Sequence, residues 1–223
     1  MSVYCSTNSI LGFDAEHAPI KQLVLQYARN PATAALFNHA SMAHNNHFFF
    51  DAFSPAPTSL DRYSALQTSL IGAFGSIETL RQTMLATADT MFGPGFVWLV
   101  STRVGNDRYP TWRILTTYLA GTPYAEAGYR QQAKDMNVQN TVGSFGGASL
   151  AGKRDASIPP GAALVEPVLC VSTWEHVYLR DFGVEGKQEY LQRWWDAINW
   201  GHVDVRTPSA MKDMTLGQAN FVR

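Results

Sequence analysis

Gly93-Pro94-Gly95 divides the chain into two kinds of sequence. Proline lacks the amide donor and glycine is a poor helix former, so the triplet stops any helix that reaches it. Before it, apolar residues recur at helical spacing. After it, Phe96–Val104 and Trp112–Leu119 are rich in Val, Ile, Leu, Thr, Tyr and Trp, with Gly105-Asn106-Asp107 between them. That pattern predicts a β-hairpin with a longish turn. Leu164–Val171 predicts a third strand. Helices followed by helices packed on a small antiparallel sheet make an α+β fold.

Four helices are expected before the divide. Ile20–Arg29 carries Leu23, Val24 and Tyr27 and ends at Asn30-Pro31. Ala32–Phe53 places Leu36, Phe37, Ala40, Ala43 and Phe48 near helical spacing, and Ser54-Pro55-Ala56-Pro57 breaks it. Ser59 reads as the cap of a helix reaching Phe74. Gly75-Ser76 reads as a C-terminal glycine and a new N-cap, opening Ile77–Met91. A last helix is expected over Glu185–Asn199, and the tail after His202 reads as mixed and extended. Residues 1–57 form a helical hairpin domain in this reading, and 58–223 an α/β domain. An insert at about 124–163, rich in Gly, Ser, Ala, Gln and Asn, is expected to project from the core.

Composition removes several classes of function. Hydrophobic residues are 46% and charged residues 16%, a globular balance that excludes whole-chain disorder. A formal net charge of -1 provides no long-range positive field for nucleic acid. No apolar run approaches the roughly 20 residues that span a bilayer, so no membrane partner is expected. Cys5 and Cys170 make neither a disulfide framework nor a zinc pattern. The first basic residue, Lys21, follows Asp14 and Glu16, unlike a secretory or transit segment. Either no targeting segment exists, or the sequence starts downstream of one.

Three segments carry a family pattern. They are Phe37-Asn38-His39-Ala40 through Asn46-His47-Phe48-Phe49-Phe50; Phe74-Gly75-Ser76 with Phe92-Gly93-Pro94-Gly95-Phe96-Val97-Trp98-Leu99; and Ser172-Thr173-Trp174-Glu175-His176-Val177-Tyr178 with Tyr190, Trp194 and Asn199-Trp200. In order and approximate spacing they resemble the iron/manganese superoxide dismutases. The resemblance implies an N-terminal helical hairpin, a C-terminal domain with a three-stranded antiparallel sheet, and dimers or tetramers.

It also implies a redox metal held by three histidines and one aspartate, and here that set is broken. Tyr4 matches a tyrosine that follows the first ligand by about two helical turns, which places that ligand before Met1. His47 takes the second place, with Asp51 where a tryptophan is usual. Ser172 takes the aspartate's place, and His176 the last. A neutral serine hydroxyl is a poor substitute for a carboxylate toward iron or manganese. The glutamine expected near Ala120 is missing, and Phe96 replaces a tryptophan. His47, Ser172 and His176 are therefore read as remnants, with no catalytic residue, metal or cofactor. His44, three residues before His47, reads as a polar surface residue of a helix.

Glu175, His176 and Tyr178 match residues of the family's dimer interface. Their presence beside a broken ligand set implies a surface kept for pairing. The chain thus resembles the superoxide dismutase-like, non-catalytic proteins of the fungal mitochondrial small ribosomal subunit, of which two related chains pair. The partners implied are a second protein of this fold and other small-subunit proteins, in the mitochondrial matrix. Peripheral rRNA contact stays open through Lys153-Arg154, Arg206 and Lys212. The alternatives are an active dismutase with an unusual ligand set and a pseudoenzyme dimer outside the ribosome.

Overall fold

A computed structural model describes residues 19–28, 30–103, 110–128 and 164–213. Tyr4, the Gly105-Asn106-Asp107 turn, Lys153-Arg154 and most of the 124–163 insert lie outside the described residues. In chain order the elements are α1 (Ile20–Tyr27), α2 (Ala34–Phe50), α3 (Ser64–Phe74), α4 (Ile77–Thr90), β1 (Gly95–Arg103), β2 (Thr111–Tyr118), α5 (Ala125–Gly128), β3 (Leu164–Ser172), α6 (Glu175–Phe182), α7 (Lys187–Asp196), α8 (Trp200–Arg206) and α9 (Ser209–Lys212). This is the expected α+β order. Among the described residues no helix is long and apolar enough to cross a membrane.

Local chemistry sets the boundaries. The Asn30 side chain accepts the Ala32 N–H at 3.0 Å and opens a 3-10 turn over Pro31–Thr33 before α2. Gly75 has φ 83°, a left-handed conformation that only glycine adopts without strain, and its N–H closes α3 on the Ile71 carbonyl. Ser76 then accepts the Thr79 N–H at 3.0 Å and starts α4. Ser59 departs from expectation. It caps a 3-10 turn over Leu60–Arg62, Tyr63 leaves helical geometry, and α3 begins only at Ser64.

The C-terminal end departs further. The last expected helix is α7 alone, over Lys187–Asp196, and the described part of the tail, through Asp213, carries two short helices rather than extended chain. Buried Val203 and Met211 hold α8 and α9 against the core, and Arg206 and Asp204 tie them by charge. Those contacts are long-range, so local pattern did not reveal them. Glu175–Phe182, for which the sequence pattern predicts no helix, forms α6.

The sheet has the order β2-β1-β3, antiparallel throughout. Phe96 pairs with Thr117 on one side and with Ser172 on the other. The β1–β3 register shifts between Leu99 and Val100, opposite Pro167, which has no N–H to give the ladder. Gly95 is required where the strands begin, since a Cβ there would lie 2.2 Å from the Thr117 carbonyl oxygen. Side chains alternate between the two faces. Trp98 lies 5.5 Å from Phe48 of α2, between ring centroids. On the opposite face Trp112 donates its indole N–H to Ser69 of α3 at 2.9 Å. The main core joins these layers, from Phe49 of α2 to Met211 of α9. A smaller cluster of Leu23, Val24, Phe37, Ala40, Tyr124 and Ala127 holds the hairpin together.

Asn199 ties the linker after α2 to α8. Its Oδ1 accepts the Thr58 N–H at 3.3 Å, the Thr58 hydroxyl, and the Gly201 N–H at 3.2 Å. Its own N–H donates to the Ala52 carbonyl at 2.9 Å. Asn199→Ala removes the acceptor of the Thr58 N–H and hydroxyl at a part-buried site. We expect a loss of about 2–4 kcal/mol, read as a lower urea midpoint with an unchanged slope.

Candidate functional site

Ser172 closes β3 and is fully buried. Its Oγ accepts the Trp174 N–H at 3.4 Å, so the hydroxyl shapes the turn into α6. The Ser172 carbonyl accepts the Tyr190 O–H at 2.9 Å. Burial first, then Cys170 and Tyr178, raise the Tyr190 phenol far above its ordinary pKa, so it remains a donor. Thr173 donates its N–H to the Gly95 carbonyl at 2.8 Å. The aspartate's place is thus filled by a neutral group already engaged by its own backbone.

His47 lies on an exposed part of α2. The helix face toward the sheet carries His44 and Phe48 instead. His44 stacks on Phe48 at 6.1 Å and meets the Tyr124 hydroxyl through Nε2 at 3.1 Å. Its Nδ1 lies 3.3 Å from Asn45 Oδ1. His44 is therefore a partly buried bridge to the start of α5, not the surface residue expected. The signal for this was absent from the sequence, because its partner is 80 residues away. Burial lowers the His44 pKa, the Asn45 contact opposes this, and Lys21, His47 and Arg206 lower it further.

Glu175 and His176 form the first turn of α6. Glu175 is half-buried and His176 exposed, with its ring 5.6 Å from that of Trp174. A carboxylate in a first turn is favoured by the helix dipole. Tyr178 faces inward, stacked on Tyr190 at 5.5 Å. Burial, then Glu175, raise its pKa. Of the three expected interface residues, two are presented at the surface and the third underpins them.

The remnant places do not fit a metal. His47 and His176 are exposed, Ser172 is buried and neutral, and no three His, Cys, Asp or Glu among the described residues could hold an ion together. The positions around them have new partners. Asp51, where the family has tryptophan, takes the Arg206 guanidinium at 2.6 Å, and His202 Nδ1 lies 3.7 Å from the same oxygen. The guanidinium also covers the Phe48 ring at 3.8 Å. Arg206, set out above as an ambiguous RNA contact, is committed within the chain. So is Lys212, paired with Asp204 at 2.9 Å.

A helical hairpin, a three-stranded β2-β1-β3 sheet and a Trp-Glu-His turn after β3 define the superoxide dismutase-like class of fold. Residues 149–206 match the family described as iron/manganese superoxide dismutases, C-terminal domain. The small ribosomal subunit protein mS42 of Schizosaccharomyces pombe is 30% identical, over 82% of this chain and 71% of its own length. The small ribosomal subunit protein mS43 of the same organism is 27% identical, over 91% of this chain and 71% of its own. A superoxide dismutase [Fe] of Helicobacter pylori is 24% identical, over 96% of this chain and 77% of its own. The chain belongs to the iron/manganese superoxide dismutase family, as a member similar to mS42 and mS43.

Two outcomes follow from this site. Ser172→Asp restores the family's residue type at a fully buried place where no ligand set converges. The unpaired charge should lower stability by about 3 kcal/mol or more near pH 7. Burial raises that carboxyl's pKa above its unfolded value, so the loss shrinks as the pH falls toward about 4. Elemental analysis of the variant should find no retained iron or manganese. His44 gives the second outcome. Its folded pKa lies below its ordinary value of 6.5, so the unfolded chain binds the proton more readily. Stability therefore falls as the pH drops below about 6.5. Urea melts at pH 7.5 and 5.5 should show a smaller pH-dependent loss in His44→Gln than in the parent chain.

Proposed function

We propose that this protein is a non-catalytic component of the mitochondrial small ribosomal subunit, paired there with a second protein of the same fold. The observation that carries this is its similarity over most of its length to mS42 and mS43, each named as a small ribosomal subunit protein. The site chemistry supports it. The aspartate's place holds a buried serine whose hydroxyl serves a turn, so the redox metal has no anionic ligand there.

Pairing uses Glu175 and His176, with Tyr178 beneath them. In a reciprocal pair each glutamate accepts a hydrogen bond from the other side's histidine. A charge-assisted bond of this kind at a buried interface is worth very roughly 1.5–3 kcal/mol. Leaving one group buried without its partner costs a similar amount. Both groups therefore persist together even without a metal. Tyr178, packed on Tyr190, fixes the helix that presents them.

Tagged full-length protein should co-sediment with small ribosomal subunits at low and at high salt and carry a related chain of the same fold. Glu175→Ala should weaken recovery of that chain while the variant itself melts like the parent. Recovery of a second copy of the same chain, or unchanged pairing in Glu175→Ala, contradicts the pairing. Purified protein with stoichiometric iron or manganese and superoxide-consuming activity contradicts the whole reading.

A further inference from the structure

We propose that the cleft between the linker after α2 and the α7–α8 corner binds an extended, proline-containing peptide segment of a neighbouring protein, one that carries a basic residue. This site is separate in the chain from Glu175 and His176, and it does not depend on the pairing described above.

The cleft has a volume of about 330 Å³ and opens to solvent. That is the low end of the range for small-molecule pockets, too small and too open to enclose a cofactor. Its walls are Pro57 and Leu60 on one side, Ile77 of α4, and Trp195, Asp196 and Trp200 on the other. The two indoles meet edge to face, with centroids 5.5 Å apart and planes at 71°. Flat aromatic walls set at an angle suit the ridged surface of a polyproline II segment.

The polar groups point to the same occupant. Thr58 is already spent: its N–H and hydroxyl bond Asn199, its hydroxyl accepts the Gly201 N–H, and its carbonyl accepts the Trp200 N–H. Ser59 is spent on Asp61. Neither the Trp195 nor the Trp200 indole N–H has a hydrogen-bond partner among the described residues. An indole N–H is a donor only. Partly exposed Trp195 therefore carries an unused donor beside a wall already fixed by internal bonds, with Trp200 buried behind it. A polyproline II segment has the complementary need. Its carbonyls have no internal partners, and its prolines have no N–H to satisfy. A wall held in place beforehand also lowers the ordering cost of binding.

Charge decides between peptide and nucleic acid. Asp196 is exposed and has no ion pair among the described residues. Asp61, beside the cleft, is held by the neutral Ser59 and Gln67. Phosphate would meet these carboxylates with like charge, whereas single-stranded nucleic acid is bound where aromatic platforms lie in a positive groove. A lysine or arginine on the peptide would meet Asp196 favourably.

The test uses full-length protein labelled with ¹⁵N at tryptophan and a short synthetic peptide of prolines around one arginine. The indole signals of Trp195 and Trp200 should shift saturably. Those of Trp98 and Trp112, whose N–H groups are held by Thr117 and Ser69, should not. Asp196→Lys, a surface change, should weaken binding about three- to fivefold. Trp195→Ala should abolish it, with a cooperative melt as the check on folding. Four results would overturn the proposal: no shift at millimolar peptide, an equal response to a Gly-Ser peptide with the same arginine, a stronger response to a uridine octanucleotide, or a folded Trp195→Ala variant that binds like the parent.

Discussion

Strand β1 is the constraint on which the other elements depend. From Gly95 to Thr102 every residue is buried, both edges are paired, and both faces are covered. A strand so placed leaves no backbone group to water, and every neighbour must match its two-residue alternation. Phe96 packs against Trp98, and Trp98 meets Phe48 of α2. The face shared with Trp112 looks toward α3. Each buried indole on this sheet needs an acceptor, and Thr117 and Ser69 supply them for Trp98 and Trp112. A one-residue slip would turn Trp98 to the wrong face and strand its donor, so the register of the whole sheet is specified.

The same strand sets what can occupy the place of Ser172. Ser172 is the last partner of β1 on its β3 side, opposite Phe96. A carboxylate at that buried place needs a cation, because an uncompensated buried charge costs several kcal/mol. A serine needs only one partner for its hydroxyl, and the Trp174 N–H provides it. Once the neutral residue is present, the surrounding positions are free to change. Asp51 then becomes useful in a different way, joining α2 to α8 through Arg206. Packing on Phe48 and an ion pair with Asp51 thus join these parts of the chain.

The sheet and the longer helices were legible because their signals are local. Gly75-Ser76 marks the α3–α4 junction with a left-handed glycine and a hydroxyl cap, and both work as the sequence implied. β3 agrees with the sequence to within a residue, since Leu164–Val171 is mostly apolar, with Glu166 and Pro167 near its start. The described part of the tail is not legible as helix, because α8 and α9 are short and owe their helicity to Val203 and Met211 in the core. The site was legible as a list of residue types through the family pattern. Its geometry was not. Whether His44 or His47 faces the sheet is a matter of helix phase, and in α2 apolar residues occur on several sides. Only the contacts with Phe48, Trp98 and Tyr124 fix that phase.

The proposed pairing raises a question of specificity that the Glu175–His176 pair cannot answer. A reciprocal glutamate–histidine exchange is the same whether the two chains are identical or merely related. Its contribution cancels when a self-pair is compared with a mixed pair. Preference for a different partner must come from residues that surround it and differ between the two chains. On this chain the surroundings within α6 and its end are Leu179, Arg180 and Val184. Leu179 is 40% exposed and Val184 83%, and Arg180 is also exposed. An arginine facing its own copy across a two-fold axis would meet like charge, whereas a related chain with an acidic residue there would meet it favourably. In the proposed pairing the polar pair sets the alignment of the two proteins, and the rim is what can discriminate between partners.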